Sequence, residues 1–286
     1  MDLPLVVGVD GSEPSLRAVD WAADEAALRR VPLRLVHGCL WERYEGVSPV
    51  EDLTEPSSDQ VMAEDIVDVA AQRARRRQPD VKVSTEVLPE EPEYALVRES
   101  RSAGLLVLGS CGRTGLAEAL LGSVCLTVAA HAHCPVIVLR AGQDGRGGAG
   151  RHGRIVLGVG DRQEAVRFAL REAALRGAEV AAVRAWPCPA HESADRLPAD
   201  SARLYEQQAD RRLQEALREA PEGVPVRRRT VEGHAREVLP SASLDADLLV
   251  VGALRKSGHR GLRLGRTAHG VLHHSACPVA VVPEWV

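Results

Sequence analysis

Residues 105–115 read LLVLGSCGRTG, and residues 248–258 read LLVVGALRKSG. Each opens on four consecutive apolar residues, closes them with a glycine and passes into a polar loop. A short continuous apolar run bounded by turn residues fits a strand buried on both faces, as in a parallel sheet covered by helices. Two further pairs flank this one in the same order. LPLVVGVDGS at 3–12 matches GRIVLGVGDR at 153–162, and HAHCPVIVLR at 131–140 matches HHSACPVAVVP at 273–283. The offset is 150 in the first pair (Gly8 with Gly158) and 143 in the other two (Gly109 with Gly252, Pro135 with Pro278). Ordered similarity at three places is the mark of a duplication, with the offset changed by length differences between the copies.

Working outward, the rest of each copy alternates strand and helix patterns. In copy one, strands are expected at 5–9, 33–37, 81–88, 105–108 and 136–139, and helices at 14–29, 61–77, 93–102 and 121–130. Ser12 is placed to cap the first helix, with Pro14 in its first turn. Copy two repeats the order. Strands separated by helices imply an α/β fold with two tandem doubly wound, Rossmann-like domains, each a five-stranded parallel sheet flanked by helices. Between them, residues 141–153 read AGQDGRGGAGRHG, a stretch too rich in glycine for helix or strand. The domains are therefore set at 1–141 and 152–286, joined by a linker at 142–151.

The composition narrows the function classes. The 286 residues are 45% hydrophobic and 27% charged, which is ordinary globular usage and excludes a disordered, collagenous or coiled-coil chain. A net charge of −4 with 3% aromatic residues argues against nucleic-acid or anionic-membrane partners. No apolar run reaches the ~20 residues of a membrane span. The opening MDLPLVVGVDGS has neither a basic leader nor a long apolar stretch, so no signal peptide is expected and the cytoplasm is the expected location. The six cysteines (Cys39, Cys111, Cys125, Cys134, Cys188, Cys277) show no zinc spacing and no disulfide framework. No metal ligands and no catalytic set are assigned. His131, His133, His273 and His274 fall near helix C-terminal ends and read as complements to the dipole. Ser12 and Ser15 read as capping residues, Cys111 as a passive loop residue, and Trp21, Trp41 and Trp186 as packing. The basic run Arg73, Arg75, Arg76 and Arg77 reads as a solvated helix end. The 41–60 segment reads as a variable surface loop, with a lid as the alternative.

In open parallel sheets ligands bind beyond the C-terminal strand ends where the strand order reverses. In copy one that place receives Gly8-Val9-Asp10-Gly11-Ser12, Gly109-Ser110-Cys111-Gly112 and the helix start Gly122-Ser123. A carboxylate such as Asp10 can accept hydrogen bonds from ribose hydroxyls or an amine. Glycines admit a phosphate to the backbone, and the free N–H groups of a helix start favour an anion. Arg113 adds a cation to the same loop. Two other nucleotide motifs are missing. Gly8-Val9-Asp10-Gly11 is not G-x-G-x-x-G, and neither of the two lysines, Lys82 and Lys256, follows a glycine as a P-loop requires.

The pattern Gly109-x2-Gly112-x9-Gly122-Ser123 resembles the motif G-x2-G-x9-G-[S/T] of ATP-binding universal stress proteins. The strand opening with Asp10, the Cys134-Pro135-Val136 lead into the last strand and the duplicated layout resemble that family's tandem members. The resemblance covers nearly the whole chain apart from the linker and 41–60. It implies an ATP-binding protein with a regulatory role in the stress response, and not a metabolic enzyme. It also implies roles for single residues: Asp10 at adenine or ribose, Val36 and His37 through their backbone at the base, and Gly109, Gly112, Gly122 and Ser123 at the phosphates. Mg²⁺ would be carried by the nucleotide. It further implies self-association through the terminal strands at 136–139 and 279–282, as an internal pseudo-dimer or a homodimer. The alternatives are a slow ATP hydrolase or phosphotransferase, for which no base can be named, and a protein-interaction module that holds no nucleotide.

Copy two departs from the motif. Arg255 stands at the place of Gly112 and Arg266 at that of Ser123; Gly160 stands at the place of Asp10, with Asp161 next to it. The loop after Gly160 reads as about three residues shorter. The site is therefore expected to be filled in copy one and altered or empty in copy two. The cluster Arg255, Lys256, His259, Arg260, Arg263 and Arg266 reads as solvated, with an anion or acidic-partner site as the alternative.

Overall fold

The computed structural model describes residues 3–40, 58–110, 121–140, 152–186, 199–255 and 264–285, with 199–201 and 255 described for their backbone alone. The chain divides into two compact units, Met1–Gly148 and Ala149–Val286. Unit 1 runs β1 (Leu5–Gly8), α1 (Glu13–Arg29), β2 (Leu33–Gly38), α2 (Ser58–Arg77), β3 (Val83–Leu88), α3 (Pro92–Glu99), β4 (Leu105–Gly109), α4 (Ser123–His131) and β5 (Val136–Leu139). Its strands are parallel in the order β3-β2-β1-β4-β5. Unit 2 runs β6 (Arg154–Gly158), α5 (Glu164–Arg176), β7 (Glu179–Trp186), α6 (Ala199–Ala216), β8 (Val226–Glu232), α7 (Ala235–Ala242), β9 (Leu248–Arg255), α8 (Arg266–His274) and β10 (Val279–Trp285). Its strands are parallel in the order β10-β9-β6-β7-β8. Both units have the doubly wound α/β architecture expected from the alternating patterns.

The burial of the strands follows their position. Leu5, Val6 and Val7 of β1 and Leu105–Leu108 of β4 are buried, because helices lie over both faces of the central strands. The outer strand β8 reads VRRRTVE and exposes Arg227, Arg228 and Arg229. Charges on an outer strand oppose pairing with a stray chain.

Helix α1 shows how sequence and packing combine. Ser12 caps it, accepting the N–H of Ser15 at 3.4 Å, and Pro14 lies in the first turn. Ala18, Val19, Ala22, Ala23 and Ala26 are fully buried. Such small residues let the helix approach the sheet closely. It ends at Arg30, in the left-handed region at φ 57°, where the N–H reaches back to Ala26 and Ala27. The corresponding end of α5 uses Gly177 at φ 62°.

Two expectations are corrected here. The basic end of α2 is not simply solvated. Arg73 pairs in bidentate fashion with Asp20 (2.8 and 2.6 Å), and Arg77 does the same with Asp24 (2.9 and 2.7 Å). Both partners lie on α1, four residues apart like the arginines, so one face of each helix meets the other. The second correction concerns copy two. The connection after β6 (159–163) is one residue longer than that after β1 (9–12), whereas α5 has 13 residues against 17 in α1. The length difference therefore falls on the helix, whose first turn is missing, and not on the loop.

Candidate functional site

In unit 1 the strand order reverses between β1 and β4, since α1 leads from β1 to β2 on one side while β4 lies on the other. The C-terminal ends of β2, β1 and β4 therefore meet the starts of α1 and α4. The Val9 N–H donates to the carbonyl of Val36 at 2.9 Å. The buried ring of His37 lies with Nδ1 2.7 Å from the carbonyl of Val9. A carbonyl can only accept, so Nδ1 carries the hydrogen. Val9 is thus held on both its N–H and its C=O, which fixes the turn that follows. Gly11 adopts φ +79°, a left-handed conformation that glycine takes without strain. That turn aims Asp10 back at Ser12: Oδ1 accepts the Ser12 N–H at 3.0 Å and its hydroxyl at 2.6 Å. Asp10 is consequently oriented, at the mouth between β1 and β4. Gly11 has a structural role that the sequence reading did not single out, although the Asp-Gly-Ser triplet is itself a turn signal.

Gly109 ends β4. A Cβ built there would lie 2.2 Å from the carbonyl oxygen of Pro14 and 2.8 Å from the nitrogen of Ser15. The first turn of α1 crosses β4 against the bare backbone, so this glycine has a packing reason independent of any phosphate. Gly122 differs. It caps α4 with φ −62° and ψ 153° and no side-chain hydrogen bond, and a Cβ there would meet no atom of the described residues within 4 Å. The first helical bond of α4 runs from Leu126 N–H to the Gly122 carbonyl at 3.2 Å. The N–H groups of the turn before it have no acceptor within the helix. Ser123 is exposed beside them. The thiol of Cys125 donates to the carbonyl of Gly109 at 3.3 Å, tying the start of α4 to the end of β4. The structure thus brings Asp10, Val36, His37, Gly109, Gly122 and Ser123 to one edge of the sheet. Gly112, Arg113 and Cys111 lie outside the described residues, as do Trp41, the 41–57 stretch and the linker.

In unit 2 the reversal falls between β6 and β9. Val159 N–H donates to the Val183 carbonyl at 2.9 Å, which makes Arg184 the counterpart of His37. Arg184 also secures the turn, donating from Nη1 to the Gly160 carbonyl at 2.8 Å and from Nη2 to Asp161 at 2.8 Å. Arg212 adds a contact to the same carboxylate oxygen at 3.1 Å. The Arg184 hydrogen bond, more than any other influence, holds the Asp161 carboxyl below its ordinary pKa. This carboxylate is committed to two arginines. Arg184 was not singled out in the sequence, although aligning LVHG (35–38) with AVRA (182–185) sets it opposite His37.

The end of β9 also differs from that of β4. Strand pairing continues past Gly252, with Ala253, Leu254 and Arg255 opposite Pro283, Glu284 and Trp285. Where β4 ends at Gly109, β9 keeps extended backbone through Arg255. Arg255 is therefore a strand residue. Of the basic cluster, only Arg266 has a described side chain, and it is exposed at the start of α8.

Among the described residues no group of three or more His, Cys, Asp or Glu is placed to hold a metal ion, and no helix is long and apolar enough to cross a membrane. His131 turns Nδ1 to the Thr127 carbonyl of its own helix at 2.8 Å. Burial pushes the thiols of Cys134 and Cys277 up to about 12, so both stay protonated and serve packing.

The model of the universal stress protein family matches residues 3–140 and 152–283, one match for each copy. The chain belongs to the universal stress protein family. A universal stress protein of Mycobacterium tuberculosis strain H37Rv is 33% identical over 303 residues, covering 98% of this chain and 97% of its own. A second from the same strain is 28% identical, covering 99% of this chain and 97% of its own. The crystal structure of a universal stress protein from Archaeoglobus fulgidus DSM 4304 superposes with a TM-score of 0.66 at 16% identity, covering 98% of each chain, a likeness of fold alone. This universal stress protein therefore shares both the tandem arrangement and nearly the full length of its relatives.

Proposed function

We propose that this universal stress protein is a cytoplasmic regulator that holds ATP in unit 1. The observation that carries the reading is at the C-terminal ends of β1 and β4, where Ser12 orients Asp10 and the helix start at Gly122-Ser123 has no side-chain cap, with no atom of the described residues within 4 Å of a Cβ built on the glycine. A phosphate fits such a helix start, because several N–H groups point at it and the dipole favours negative charge. Ribose or the adenine amine suits Asp10. The base would lie toward Val36 and His37; the Val36 carbonyl already accepts the Val9 N–H, so its remaining lone pair is what it can offer. Gly109 keeps α1 close, and the sequence motif assigns Gly112 and Arg113 to the phosphate as well. Mg²⁺ would arrive with the phosphates, since the acidic group at the mouth, Asp10, is engaged by Ser12. Among the described residues none at the site is placed as a base for water or an acceptor, and the reading is binding without fast turnover.

The test is direct. Mass spectrometry of ligand released from gently purified full-length protein should find an adenine nucleotide, and calorimetry should find about one Mg-ATP per chain, as one motif-bearing helix start implies. No heat with folded protein, or two equal sites, would defeat the reading.

Self-association belongs to the same proposal. Within unit 1 β5 stands at the end of the strand order next to β4, and within unit 2 β10 stands next to β9. Terminal apolar strands of this kind are commonly paired or covered. The homodimer form predicts a sedimentation-equilibrium mass of twice the chain that falls to one chain when Ile137 is replaced by proline. A mass unaffected by that change would speak against strand pairing as the contact between chains.

A further inference from the structure

We propose that Glu284 is a tethered anion that closes the crevice of unit 2, occupying from within the place where an external anion would enter. The proposal does not depend on the nucleotide reading of unit 1. Three differences between the copies meet at this residue. First, α5 lacks the first turn that α1 has, so nothing corresponds to the Pro14-Ser15 peptide that packs on Gly109. Second, β10 extends through Trp285, alongside the extended β9. Third, the added stretch carries a carboxylate: with the offset of 143, the residue of copy one corresponding to Glu284 is Ala141. The Glu284 side chain folds back over the crevice. A Cβ built on Gly252 would lie 2.3 Å from its carboxyl carbon and 2.4 Å from both oxygens. Oε1 accepts the N–H of Ala165, in the first turn of α5, at 3.4 Å, and the residue is 4% exposed.

The void left by the missing turn is thus filled by a carboxylate that also takes up an orphan N–H of the shortened helix. Burial above all raises the pKa of this carboxyl above its ordinary value, and Glu164 and Asp161 act in the same direction, whereas the Ala165 N–H and Arg162 favour its ionised form; the group is therefore an anion only well above the usual carboxylate range, as at pH 8 below. The basic character around copy two therefore does not make this crevice an open anion site. Its negative group is built into the chain, and the glycine of the duplicated motif, Gly252, makes room for a side chain of the protein itself.

Removing the tethered carboxylate should let a free one take its place. The experiment uses full-length protein at pH 8 and compares sodium formate with sodium chloride at equal ionic strength. In Glu284→Ala, about 100 mM formate should raise the thermal midpoint by about 2–3 °C more than chloride does, as occupancy of a weak site requires. Wild type and Glu284→Gln, whose crevice remains filled, should respond alike to the two salts. If Glu284→Ala does not fold, the same comparison is made in Glu284→Ser. A formate response of equal size in all variants, or none in the truncated ones, would overturn the proposal.

Discussion

Gly109→Val should destabilise the protein more than any other single change at the site, by roughly 3 kcal/mol or more, with a fall of about 6 °C or more in thermal midpoint. The added Cβ would lie 2.2 Å from the Pro14 oxygen and 2.4 Å from its carbonyl carbon. Those atoms are backbone in the first turn of α1 and cannot rotate away like a side-chain end. Relief requires the helix to lift from β4, which uncovers Ala18, Val19, Ala22 and Ala23 together. It also strains the Asp10 turn, since Ser15 Oγ donates to the Ser12 carbonyl at 2.8 Å from that same first turn. Thermal denaturation of Gly109→Val beside wild type checks this. A midpoint within 2 °C, in the sense of a change near 0.5 kcal/mol, would show that α1 does not rest on Gly109.

Gly122→Val should do the opposite, keeping the fold and removing the ligand. At φ −62° and ψ 153° the backbone suits any L-residue, and the new Cβ meets no atom of the described residues within 4 Å. The loss of glycine as cap costs about 1 kcal/mol at most. That position is where the proposed phosphate approaches the N–H groups of α4. Blocking even one charge-assisted contact, worth roughly 1.5–3 kcal/mol, weakens binding about 10- to 100-fold. Calorimetry with Mg-ATP, supported by unchanged circular dichroism, reads the effect. Unchanged affinity would place the phosphates elsewhere. Together the two substitutions separate two glycines that belong to one motif: Gly109 accommodates a helix of the protein, and Gly122 faces outward.

The two copies differ for a reason that pattern alone conceals. Gly109 and Gly252 match in sequence, yet one lies under the Pro14-Ser15 peptide and the other under the Glu284 carboxylate. His37 and Arg184 differ in sequence, yet both hold the carbonyls of the turn after the first strand. The same place in the fold can be filled by different atoms. A shared letter can likewise serve different neighbours. A shorter copy two was legible from the change of offset between 150 and 147, the latter read from EAALR at 25–29 and 172–176. Assigning the loss to a helix turn required the structure.

By itself the sequence determined the duplication, the alternation of strands and helices, the cap at Ser12 and the glycine pattern that points to a phosphate. These are local properties. Strand and helix periods, caps and turn residues act over a few positions, so they can be read without knowing what lies opposite. The tertiary structure decided which glycine is packed and which is open, that Arg73 and Arg77 grip Asp20 and Asp24 of α1, and that Glu284 reaches Ala165 from 119 residues away. Those contacts exist only once the parallel order of the strands has brought remote segments together. Their geometry is set by close packing across elements, to which each segment alone contributes one side.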